Sequence, residues 1–193
     1  MARLAQVPQS EWPPAMLTAV AALRPEVRRH PTLQRENRPQ APGTLETFAH
    51  NPDLAHAFFT FNGHVLLNTT LTTRHRQLVI LRTAARHASP YLWAQHLFQG
   101  RDAGLTDEEM ARIAFGPEAP FFTPLETALL RAVDELLEDG AIRDDTWRVL
   151  SAELGPEQML DVIFAVGCYS TLAWFFKTLE LDPDPGIPEM LRR

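Results

Sequence analysis

The chain has 193 residues, of which 45% are hydrophobic and 22% charged, with a formal net charge of −6. That is ample for one buried core, and because charges of both signs are interspersed with no basic stripe, no nucleic-acid partner is expected. The single cysteine, Cys168, excludes an internal disulfide; with no leader-like start and no uninterrupted run of ~20 apolar residues, a cytoplasmic chain with no membrane partner is expected.

Residues 1–41 read as an irregular N-terminal arm, rich in proline and arginine. One short helix is expected there, capped by Ser10, with Met16, Leu17, Val20 and Leu23 as its apolar face. No chemistry is assigned to the arm. Residues 42–193 read as one helical domain, because helix after helix is separated by Gly, Pro and capping signals rather than by alternating β-branched runs. The fold class is therefore all-α.

Pro52 opens a helix with Asn51 as its cap and Leu54, Phe58, Phe61 and Val65 at helical spacing; Asn62, Gly63 and His64 interrupt it. Thr72 or Thr73 caps the next. Its buried stripe is Leu78, Leu81 and Ala85, and Arg74, Arg76, Arg82 and Arg86 are expected mostly to face water. Ser89 and Pro90 start another helix, with the serine hydroxyl placed to receive orphan amide protons. Gly104 ends it. Thr106 with Glu109, then Thr123 with Glu126, give two capping boxes. From Pro156 a last long helix is apolar nearly all round, which predicts burial in the core or between subunits.

On the helix that begins at Pro90, Ser89, Leu92, Trp93, His96 and Gly100 share an arc of about 100°. Tyr91, Gln95 and Phe98 point the other way. The face presents an imidazole beside an indole, with Gly100 leaving room further along. A histidine of ordinary pKa, about 6.5, is the natural acid or base near neutral pH. A buried histidine bonded to a backbone carbonyl between helices has the same spacing. His64, His75, His87 and His96 lack paired ligand spacing, so no metal is expected, and no glycine-rich strand-to-helix turn calls for a nucleotide cofactor.

Four pieces, Arg74 to Ala84, Tyr91 to His96, Ala103 to Glu109 and Gly167-Cys168-Tyr169, carry a resemblance in order and spacing. Across about residues 52–188 the chain resembles carboxymuconolactone decarboxylases and the related alkylhydroperoxidase D-like (AhpD-like) proteins. The resemblance implies an all-helical fold that assembles into homo-oligomers. In the peroxidase branch a Cys-x-x-Cys pair precedes the histidine, and a glutamate upstream relays protons. Those cysteines fall on Ser89 and Leu92 here, and the glutamate on Gln77. Serine and leucine cannot form and resolve a sulfenate, so the dithiol peroxidase mechanism is lost.

The decarboxylase branch implies a small-molecule lyase in which His96 is general acid or base, with Gln77 and Ser89 as neutral catalytic partners. The substrate would be a small carboxylate or lactone, bound in a cleft lined by Leu92, Trp93, Phe58, Phe61 and His64. A non-catalytic oligomeric relative with a vestigial pocket is the alternative, and AhpD-like peroxide reduction the third reading.

Overall fold

The computed structural model describes residues 2–31, 38–184 and 187. Among them every regular element is helical, so the all-α expectation holds. The C-terminal limit read for the resemblance, Pro188, lies outside the described residues. By its internal contacts the chain forms two compact units, Met1–Thr69 with Phe175–Arg193, and Thr70–Trp174.

The first unit holds α1 (Pro14–Ala22), α2 (Pro42–Phe48) and α3 (Pro52–Gly63), which runs on into a π-helical turn, His64–Asn68. Its core is Met16, Ala19, Phe48, Ala49, Ala55 and Phe59. Ser10 does not cap α1. It lies in a separate turn of 3-10 helix, Gln9–Glu11, and α1 starts after Pro13 with no side-chain cap. Met16 and Ala19 face inward, whereas Leu17 is 62% exposed. Asn51 caps α3 as expected, accepting from the Leu54 amide at 3.1 Å. The buried stripe of α3 is displaced from the expected one, running through Ala55, Phe59, Asn62 and Gly63 with Leu54 exposed. Gly63 explains the rotation: a Cβ there would stand 2.7 Å from the Ala22 carbonyl oxygen, so α1 can cross α3 only on the glycine face.

The second unit is built around α4 (Thr73–Arg86), capped by the Thr72 hydroxyl, which accepts from the His75 amide at 3.1 Å. Nine consecutive residues, Arg76 to Ala84, are buried. Packing of α4 against α5 (Pro90–Asp102), α6 (Asp107–Phe115) and α7 (Pro124–Glu138) leaves it no broad wet face. Of the four arginines expected in water, only Arg86 is exposed. Arg82 donates twice to Asp134, at 2.7 Å each, and also to the Ile113 and Ala114 carbonyls at the end of α6. Arg74 binds both capping-box glutamates, Glu109 and Glu126. A charge predicted for solvent is satisfied by fixed acceptors instead.

The turn out of α4 places Ala88 at φ +46°, with Ala88 N–H donating to Ala85 and Ser89 N–H to Ala84. This is a Schellman ending with alanine where glycine is usual. It sets the start of α5 at Pro90. Gly104, at φ +84°, closes α5 by the same bond pattern, through Arg101 and Gly100. Gly100 leaves no room, contrary to expectation: a Cβ there would be 2.7 Å from Met110 Sδ and 3.3 Å from Leu81, so the glycine serves tight packing of α4, α5 and α6. Helix α8 (Asp144–Glu153) is tied to α7 by Glu135, which accepts from Thr146 Oγ1 and from the Arg143 amide.

Helix α9 (Pro156–Thr178) departs from its expected all-round burial. Leu160, Phe164 and Trp174 are 58, 55 and 59% exposed. In length and composition it is apolar enough to cross a membrane, but 56% of its most apolar stretch is buried in the protein.

Candidate active site

The Schellman turn at Ala88 aims α5 so that Tyr91, Leu92, His96, Phe98 and Gly100 are all buried. Two faces of the helix are covered rather than one, since α5 packs on both α4 and α6. His96 is 4% exposed. Its ring meets Tyr169 of α9 edge to face, with centroids 4.9 Å apart and planes at 88°. From α4, Gln77, fully buried, brings its amide to the imidazole: His96 Nδ1–H donates to Gln77 Oε1 at 3.0 Å. Gln77 Nε2 in turn donates to Gln99 Oε1 at 3.3 Å.

This chain sets the tautomer. An amide oxygen can only accept, so the proton is on Nδ1 and the lone pair on Nε2. The electrostatics keep the ring neutral. Burial, then the nearby Arg76 guanidinium, push the His96 pKa down to about 3. Arg76 is itself 4% exposed, and burial lowers its pKa while Tyr169 opposes the shift. At neutral pH His96 is therefore a proton acceptor through Nε2 and not an imidazolium acid.

The other candidates are placed as follows. Ser89 precedes α5 as expected but does not cap it; its hydroxyl is buried and has no hydrogen-bond partner, so it is not joined to the His96–Gln77–Gln99 chain. Leu92, one turn before His96, is 2% exposed. Trp93 packs with Leu97 against the core of Leu78, Leu81, Met110 and Ile113. Phe58 and Phe61 belong to the first unit, where Phe58 stacks on Phe48 at 5.5 Å and meets Phe61 edge to face at 6.5 Å. His64 opens the π-helical turn there and is exposed. The structure thus joins His96 and Gln77 directly, places Leu92 and Trp93 on the same helix as His96, and leaves Ser89 at the residue before that helix.

Three neighbours were missed in the sequence: Gln99, Arg76 and Tyr169. Gln99 stands one helical turn beyond His96, and Arg76 directly precedes Gln77. Arg76 was expected to face water, and no role was assigned to Gln99. Cys168, adjacent to Tyr169, is fully buried.

Residues 52–135 match the carboxymuconolactone decarboxylase family. Over this stretch, a little under half of its length, the chain is similar to that family. The family segment contains Gln77, Ser89, Leu92 and His96; Tyr169 lies beyond it. No curated protein matches the chain. Among solved structures, a protein of unknown function from Agrobacterium tumefaciens, with a suggested antioxidant-defence role as AhpD, is 22% identical with a TM-score of 0.66, covering 72% of this chain and 95% of its own. A peroxidase-related protein from Ralstonia eutropha JMP134 with an AhpD core is 18% identical at TM-score 0.66, covering 75 and 77%. The debrominase Bmp8 is 14% identical at TM-score 0.72, covering 97% of this chain and 95% of its own. At these identities the likeness is one of fold. It supports the AhpD-like fold, and with Bmp8 it extends across the N-terminal arm.

Proposed function

We propose that the protein is a small-molecule lyase of the carboxymuconolactone decarboxylase type, acting on a small carboxylate or lactone with neutral His96 as the base. One observation carries the reading: the 3.0 Å bond from His96 Nδ1–H to Gln77 Oε1, which leaves Nε2 as the free acceptor. In a decarboxylation the substrate carboxylate departs as carbon dioxide while the carbon–carbon bond breaks and its electron pair stays on the enolate. A water that donates one hydrogen bond to Nε2 gives its other proton to carbon, and the hydroxide left is reprotonated from solvent. Arg76 favours this order, because the charge that opposes imidazolium also stabilises a developing anion. Gln77 orients the ring but supplies no charge, so turnover should be slower than with a carboxylate partner.

The burial of His96 favours a second reading, a non-catalytic relative in which the Gln99–Gln77–His96 chain merely satisfies buried polar groups. Peroxide reduction is the weakest, since Ser89 and Leu92 stand at the cysteine positions and Cys168 is buried.

Thermal unfolding of wild type and His96→Ala, with and without a panel of small carboxylates and lactones, separates the first two. A ligand at a hundred times its Kd should stabilise wild type by about 2.7 kcal/mol. The lyase reading expects that shift, and turnover of the same compound, to vanish in the folded variant. Equal turnover by His96→Ala would remove the histidine from the mechanism.

A further inference from the structure

A hydroxyl inside a helix ordinarily returns its proton to the backbone. Thr47, Thr60, Thr83 and Thr171 do so, each donating to the carbonyl four residues back at 2.6–3.0 Å. Ser170 of α9, 4% exposed, does not. Its Oγ lies 2.9 Å from His87 Nε2, and no other partner of that hydroxyl occurs among the described residues. A buried donor left unused is costly, so the hydroxyl proton goes to Nε2 and the ring proton sits on Nδ1. A serine that donates to an imidazole nitrogen is an activated nucleophile beside its base.

The end of α4 puts the base in place. His87 closes that helix, and the turn at Ala88, φ +46°, fixes the chain just beyond it. The ring then lies along two successive turns of α9, bonded to Ser170 and edge to face with Trp174 at a centroid distance of 5.8 Å. Ser170 stands at the border of the exposed face of α9. At 3.6 residues per turn, Ile163, Trp174 and Gly167 fall within about 60° of it on one side, and all three are exposed. A Cβ on Gly167, one turn before the serine, would have nothing within 4 Å, so the approach from that side is open. Ile163 and Trp174 make the same edge apolar, which suits an uncharged ester rather than a free carboxylate.

We propose that Ser170 and His87 form an acyl-transfer site that takes its acyl group from an apolar carboxylic ester. Ser170 Oγ attacks the carbonyl carbon as its proton passes to His87 Nε2. The bond from that carbon to the alcohol oxygen breaks, and the departing alkoxide takes the proton from Nε2. Water then attacks the acyl group, giving a proton to the same nitrogen; the serine oxygen leaves, recovers that proton, and the carboxylic acid is released. Because Ser170 is buried, water reaches the acyl group slowly and the acylated chain accumulates. Neither residue belongs to the Gln99–Gln77–His96 chain, so the inference does not rest on the lyase reading.

The probe is p-nitrophenyl acetate, which has no carboxylate to lose and releases a coloured phenolate. The full chain is expected to give a burst equal to the protein present, and peptide mapping to find one acetyl group on Ser170. Ser170→Ala should abolish the burst. His87→Gln, with its circular dichroism matched to wild type, should be acetylated about a hundredfold more slowly or worse, the contribution of a positioned base. A second measurement needs no ester. Ser170→Cys in a Cys168→Ser background should be alkylated by iodoacetamide at neutral pH about tenfold faster with His87 than with glutamine there, because a neighbouring imidazolium lowers a thiol pKa. Acetyl groups found only elsewhere in the chain overturn the proposal, as do equal acetylation rates in wild type and His87→Gln. Equal alkylation of the cysteine with and without His87 overturns it as well.

Discussion

A single histidine shows how far burial changes what a residue type can do. In water His96 would titrate near 6.5; inside α4, α5 and α9 its pKa lies at about 3. Between those values the unfolded chain binds a proton that the folded chain refuses. The contribution of His96 to stability is therefore complete above about pH 6.5 and is lost as the pH falls toward 3, by up to about 1.4 kcal/mol per pH unit. His96→Gln removes this proton. Its urea midpoint should fall less than that of wild type between neutral and mildly acid pH, and parallel losses would mean that His96 is already accessible to protonation in the fold. The sequence made the histidine visible as a lone ionisable group among apolar residues. It could not reveal the neutral state, because that depends on Arg76 and Tyr169, which reach the ring from other helices.

At the scale of elements the capping signals were the most legible part. Thr106 with Glu109 and Thr123 with Glu126 form both boxes as expected, since a cap depends on residues three apart. Arg74 was misjudged because its partners lie 35 and 52 residues away, and no local pattern announces them. It ties the first turns of α6 and α7 to the start of α4. Its hydrogen bond is the largest influence holding the Glu109 carboxyl below the usual range. For Glu126 burial pushes upward, but the Thr123 amide and Arg74 outweigh it. Arg74→Met should cost roughly 2 kcal/mol in urea unfolding at neutral pH, from charge-assisted bonds lost to partly buried carboxylates. Because folded carboxyl values depressed by Arg74 give stability that is present above the unfolded range and lost as pH falls through the folded values, the difference between wild type and variant should shrink in acid. A difference that stays constant would show packing of the arginine stem to be the cause.

For the whole molecule, fold class was legible because helix periodicity and punctuation are repeated in every segment, whereas the assignment of faces was not. Leu54 and Leu17 were placed inward by spacing alone, and close approach at Gly63 decided otherwise for α3. α9 is the opposite case, an apolar run read as buried that carries its exposed hydrophobics along one line.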